Sequence, residues 1–174
     1  STNGKGGDMI LSIGSGTTYT GGDIIVTSGQ STFSTAGTGG AISISTGYGR
    51  PTSSGALIVS SLDSGTTGVS GKLSFTSGTT SSGSSGSFTV GTGTSTNGKG
   101  GDMILSIGSG TTYTGGDIIV TSGQSTFSTA GTGGAISIST GYGRPTSSGA
   151  LIVSSLDSGT TGVSGKLSFT SGTT

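Results

Sequence analysis

The sequence has no cysteine, histidine, tryptophan or glutamate, and only two prolines in 174 residues. Each gap removes a class of chemistry. Without cysteine there is no disulfide to staple a small fold, and no thiol usage from which to read a redox compartment. Without histidine or cysteine, zinc, haem and iron–sulfur sites in their usual forms are excluded. The imidazole base of a serine or cysteine triad is excluded with them. Charge is also scarce: six basic and six acidic side chains cancel to zero, which argues against nucleic acid or an anionic membrane as a partner. No apolar run approaches transmembrane length, and no stretch has signal-peptide shape. The shortage of proline rules out a collagen helix, as does the lack of glycine at every third position. The glycine-rich stretches are not phosphate loops, because no Gly-Lys-Ser/Thr lies between a strand and a helix. These absences point away from an enzyme.

What is present is repetition. Residues 1–80 recur, letter for letter, as residues 95–174, an offset of 94. The expected organisation is one complete repeat over 1–94 and a truncated second copy over 95–174. Inside each repeat lies a shorter period. Six segments share a glycine, a variable residue and an apolar–variable–apolar triplet; they begin at Gly7, Gly22, Gly40, Gly55, Gly71 and Gly86. Successive variable residues are 15, 18, 15, 16, 15 and 15 positions apart.

Apolar residues two apart have strand periodicity, since successive side chains of a strand face opposite sides. The inward set is then Met9/Leu11, Ile24/Val26, Ile42/Ile44, Leu57/Val59, Leu73/Phe75 and Phe88/Val90. Gly14, Gly29, Gly47, Gly78 and Gly93 follow at a fixed offset, where the chain is expected to turn. Leu62 breaks that rule, so the fourth turn is expected to be built differently. The longest coil leaves room for a bulging loop around residues 30–35. Helix is excluded by composition, because glycine numbers 40 and no 3.6-residue apolar stripe exists.

The expected fold class is all-β: a narrow β-solenoid with coils of about 15–18 residues, six per 94-residue repeat. Tyr19, Phe33, Ala36, Pro51 and Val69 lie on the return stretch, expected to close over the aliphatic row. An irregular β-sandwich and disorder are the competing readings. The sandwich offers no reason for near-constant spacing, and disorder offers none for an apolar pair at the same offset in every coil. Both ends read as mid-repeat sequence without caps, which suggests a window on a longer array.

Three features bear on binding. Asp8 and Asp23 share a register on neighbouring coils, as do Asp102 and Asp117. If stacked, they offer carboxylate oxygens for a weak Ca²⁺ bridge; the alternative is splayed, solvated carboxylates helped by Lys5 and Lys99. The outward position of the triplet carries Ile10, Ile25, Ile58, Ile104, Ile119 and Ile152. A row of them would form an apolar patch for lateral self-association, unless another part of the chain covers it. Asn3-Gly4 and Asn97-Gly98 are turn dipeptides without a glycosylation sequon. The density of serine and threonine would permit O-linked glycans in a secreted chain.

The segments Gly-Gly-Asp-Ile-Ile-Val-Thr-Ser-Gly and Gly-Gly-Ala-Ile-Ser-Ile-Ser-Thr-Gly resemble the Gly/Ser/Thr-rich short repeats of very large secreted or cell-surface proteins of diatoms and related algae. That resemblance implies an extracellular wall, adhesive or filament component, and brings no active-site residues with it. The expected function is a structural, non-catalytic segment of an extracellular fibre or cell-surface protein, with copies of itself as partners and no membrane insertion. Two alternatives stay open. One is an ice-binding β-solenoid, for which Thr18-Tyr19-Thr20 and Thr92-Gly93-Thr94 are the matching pairs. The other is an adhesive module with Tyr19, Phe33 and Tyr48 as loop candidates.

Overall fold

The computed structural model describes residues 4–112, 114–144 and 146–172. Among them there is neither helix nor strand; the backbone is coil interrupted by short bends and turns. The expected all-β architecture, with its narrow β-solenoid of six coils per repeat, is therefore overturned. The β-sandwich reading falls with it, and so does the flat Thr-x-Thr ladder that ice binding requires. Asn3 lies outside the described residues; Asn97-Gly98 sits in the bend at 96–98.

The 15-to-18-residue period survives in another form. Bends fall at 17–19, 34–36, 50–52, 66–68, 81–83 and 96–98, and again at 111–112, 128–130 and 160–162. Each bend is the tip of a loop whose two ends approach one another. The approach always uses the same two places: the glycine that opens a segment, and the residue two positions beyond the previous apolar pair. A Cβ placed on Gly55 would touch Thr46 Cβ at 3.5 Å, one on Gly71 would touch Ser61 Cβ at 3.4 Å, and one on Gly101 would touch Thr92 Cβ at 3.5 Å. At Gly22 it would run into the Ile13 side chain.

The chain divides into two units, Ser1–Thr89 and Val90–Thr174. In the first, backbone hydrogen bonds close three necks: Gly22 N–H donates to Gly14 O at 3.4 Å, Gly40 to Gly29 at 2.8 Å and Gly55 to Gly47 at 3.2 Å. Ser28 Oγ adds a second bond across one neck, donating to Gly40 O at 2.8 Å. In the second unit Gly134 donates to Gly123 at 2.8 Å and Gly149 to Gly141 at 3.1 Å. Gly14, Gly29 and Gly47 thus stand at the necks of loops, not at their tips.

The fourth turn is built differently, as the break at Leu62 predicts. Ser64 Oγ reaches the carbonyls of Gly65 and Gly68 at 3.3 and 3.4 Å. Ser158 repeats this with Gly159 and Gly162 at 3.0 and 2.8 Å. Gly68 has a φ of 130°, a conformation that a side chain would strain.

Between the necks run coil arms that carry the apolar triplets. Beyond the necks no backbone hydrogen bond pairs one arm with another among the described residues. None of the described residues is buried, and the supposed inward residues are open to solvent. Tyr19, Phe33 and Val69 are exposed as well, so no second face closes over an aliphatic row. The alternation persists in some arms only: Ile24 is 52% exposed and its neighbour Ile25 80%, whereas Met9, at 94%, is more exposed than Ile10. The chain presents 17375 Å² to solvent. A folded monomer of this size would show about 7,500 Å², and its unfolded chain about 24,000 Å².

Two magnitudes explain the openness. Ordering one residue costs about 1–2 kcal/mol of backbone entropy, more for glycine. Burying one aliphatic side chain returns about 1.5–3 kcal/mol, and only 26% of residues are hydrophobic. One apolar side chain would have to order about four residues, which it does not offset. The connections add a second obstacle. A two-residue turn sets the register of a hairpin, whereas here a neck such as Gly47 to Gly55 encloses a wide loop. A hairpin pair alone is marginal in water even with a tight turn.

Hydrogen exchange on the dilute chain tests this description. The amides of Gly40, Gly55, Gly134 and Gly149 should exchange slowest, with the arms near the rate of an unprotected chain. Protection spread over residues 9–11, 24–26 and 42–44 would reveal a strand ladder and contradict it.

Candidate functional site

Of the four aspartates proposed to hold Ca²⁺, two are already paired. Lys5 Nζ lies 2.6 Å from Asp8 Oδ2, and Lys99 Nζ lies 2.7 Å from Asp102 Oδ1 and 2.8 Å from Asp102 Oδ2. The three-residue spacing lets each lysine fold back across Gly6-Gly7 or Gly100-Gly101, where no Cβ stands in the way. All four side chains of these pairs are more than half exposed. Such pairs are worth about 0–1 kcal/mol and weaken in salt. Asp23 and Asp117 are exposed and have no ion-pair partner among the described residues. The stacked register that would have joined Asp8 to Asp23 rested on a solenoid that does not form. No group of three or more acidic side chains that could hold a metal ion occurs among the described residues.

The six isoleucines of the outward position are all presented to solvent. Ile10, Ile25, Ile58, Ile104, Ile119 and Ile152 are 79% to 85% exposed. They do not form a stacked row, because the coils that would have aligned them are absent. Each stands instead in its own coil arm, with an apolar neighbour on either side. No other segment covers them, contrary to the covered alternative.

The least exposed of the described residues lie in two loops of each unit. Among the described residues only Ser31, Gly49, Ser125 and Gly143 are even half-buried, and these are the same two positions in each copy. Ser31 is shielded by Gly37, where an added Cβ would overlap Ser31 Oγ. Gly49 lies on the Ser53 carbonyl, and Gly143 on that of Ser147. The second loop carries Tyr48 and Arg50 on either side of Gly49, both exposed. Arg50 was not singled out by sequence reasoning. The signal was available, since Arg50 and Arg144 are the only guanidinium groups and each follows Tyr-Gly.

No protein-family model, no curated protein and no solved structure matches the chain. No helix among the described residues is long and apolar enough to cross a membrane.

The paired state of Asp8 and Asp102 generates a direct expectation. Titrating Ca²⁺ or Mg²⁺ into the chain should give no heat above dilution in a calorimeter. A saturable signal lost in the Asp8→Asn, Asp102→Asn variant would restore the cation site.

Proposed function

We propose that the chain is a structural, non-catalytic segment of an extracellular fibre or cell-surface repeat protein, and that it works by associating with copies of itself. The observation that carries this reading is the exposure of the apolar triplets. A patch of this kind on a soluble chain usually marks an interaction surface. Here the patches recur at near-constant intervals along identical repeats. A second copy therefore offers the same spacing of apolar groups as the first. Many weak contacts then act together, since the first raises the effective concentration of the next.

The chemistry of the sequence supports the non-catalytic part. Aspartate is the only carboxylate, and neither histidine nor cysteine occurs; general acid–base and nucleophilic catalysis rely mainly on such groups. The extracellular setting is supported by the resemblance to secreted algal repeats and by a surface of serine and threonine suited to O-linked glycans. Zero net charge removes the long-range repulsion that would keep copies apart.

The decisive experiment is sedimentation velocity over a concentration series. The native chain should shift to larger species as concentration rises. Replacing Ile10, Ile25, Ile58, Ile104, Ile119 and Ile152 with serine should leave a monomer at every concentration. These side chains belong to no core, so the substitutions remove association without unfolding anything. Association that persists unchanged in the substituted chain would sink this assignment.

A further inference from the structure

Among the described residues, the loop between Gly47 and Gly55 brings together an aromatic ring, a cation without an ion-pair partner and a hydrogen-bonded neck. Its neck is closed by Gly55 N–H on Gly47 O at 3.2 Å, and in the second unit by Gly149 on Gly141 at 3.1 Å. There Gly143 N–H also donates to Ser148 Oγ at 3.4 Å. Inside the loop, Gly49 is pressed on the Ser53 carbonyl so closely that a Cβ could not be accommodated without moving backbone. With Gly49 turned inward, its two neighbours are presented outward. Tyr48 is 86% exposed and Tyr142 84% exposed. Arg50 and Arg144 are exposed and have no ion-pair partner among the described residues.

We infer that this loop, once in each unit, is a binding site for acidic polysaccharide. The guanidinium is planar and presents paired donors that match a carboxylate or a sulfate. The phenol offers an apolar ring face with a hydroxyl at its rim, at little cost in side-chain entropy. A ring and an acid group side by side are what each residue of a uronate or sulfated glycan supplies. The closed neck holds the tyrosine and the arginine on one short loop before the ligand arrives, which lowers the ordering cost of binding. Nucleic acid is the weaker candidate, since each repeat offers three cations on a chain of zero net charge. The site rests on this loop and does not depend on self-association.

Affinity electrophoresis of the full chain through gels containing polygalacturonate, dextran sulfate or neutral dextran tests the inference. Retardation is expected in one or both acidic gels and not in neutral dextran; the two acidic gels tell carboxylate from sulfate recognition. Arg50→Gln with Arg144→Gln should weaken binding at least about tenfold, the scale of one lost charge-assisted contact. Tyr48→Ala with Tyr142→Ala should weaken it several-fold. Arg50→Lys with Arg144→Lys, which keeps the charge, should still bind less well than the native chain. Lys72→Gln with Lys166→Gln should leave binding unchanged. An equal loss in the lysine variant would mean diffuse ion exchange and overturn the site. Equal retardation by poly-glutamate or single-stranded DNA would overturn the ligand class, and no retardation in either acidic gel would overturn both.

Discussion

Everything in this molecule follows from the distance between one apolar triplet and the next. A dozen or more residues, mostly glycine, serine and threonine, separate them, and those residues bring entropy to be lost and little to bury. A triplet can shield itself only if its neighbours are drawn alongside. The connecting loops do not do this: they bring their own ends together and leave the arms apart. The chain therefore keeps its apolar groups at the surface and its order in the turns, the reverse of a globular domain.

Much of the organisation was legible in the residues. The nested period sets the spacing of the bends, and the altered fourth turn at Leu62 reappears as the Ser64 and Ser158 hydroxyls bonded to glycine carbonyls. The longest coil does contain a wider loop, closed between Gly29 and Gly40. The two-residue alternation is visible in the unequal exposure of Ile24 and Ile25 but reversed at Met9 and Ile10. The pairing of arms was not legible. Period two shows which side a residue faces once a ladder exists, and contains no term for whether the ladder is stable. The aspartates illustrate the same gap. Asp8 and Asp23 share a register only on a stacked structure, whereas the bond from Lys5 to Asp8 needs no more than two intervening glycines.

The site was legible in part and for similar reasons. Exposure of Ile10 and its counterparts follows from their place between two other apolar residues, whatever the fold. Arg50 passed unnoticed because attention to strand-forming positions leaves loop residues as filler. What sets it apart is the loop geometry at Gly49, whose approach to the Ser53 carbonyl four residues on is not contained in the period of the apolar pairs. In chains of low complexity the rare residue types are informative, and an arginine one residue away from a tyrosine, found once in each copy, is rarer here than isoleucine.

The loop necks have a mechanical meaning. Those at Gly14–Gly22, Gly29–Gly40 and Gly47–Gly55 are held by one or two hydrogen bonds, while the chain between Gly29 and Gly40 would reach about 36–40 Å if drawn straight. A strand of such loops under tension stores length that is not in use. Load opens the weakest neck first, slack is released, and the covalent backbone is spared while the remaining loops stay closed. Since each neck reforms from residues close in sequence, the recoil needs no refolding of distant parts. Opening the neck between Gly29 and Gly40, or between Gly123 and Gly134, would release that length without stretching a covalent bond.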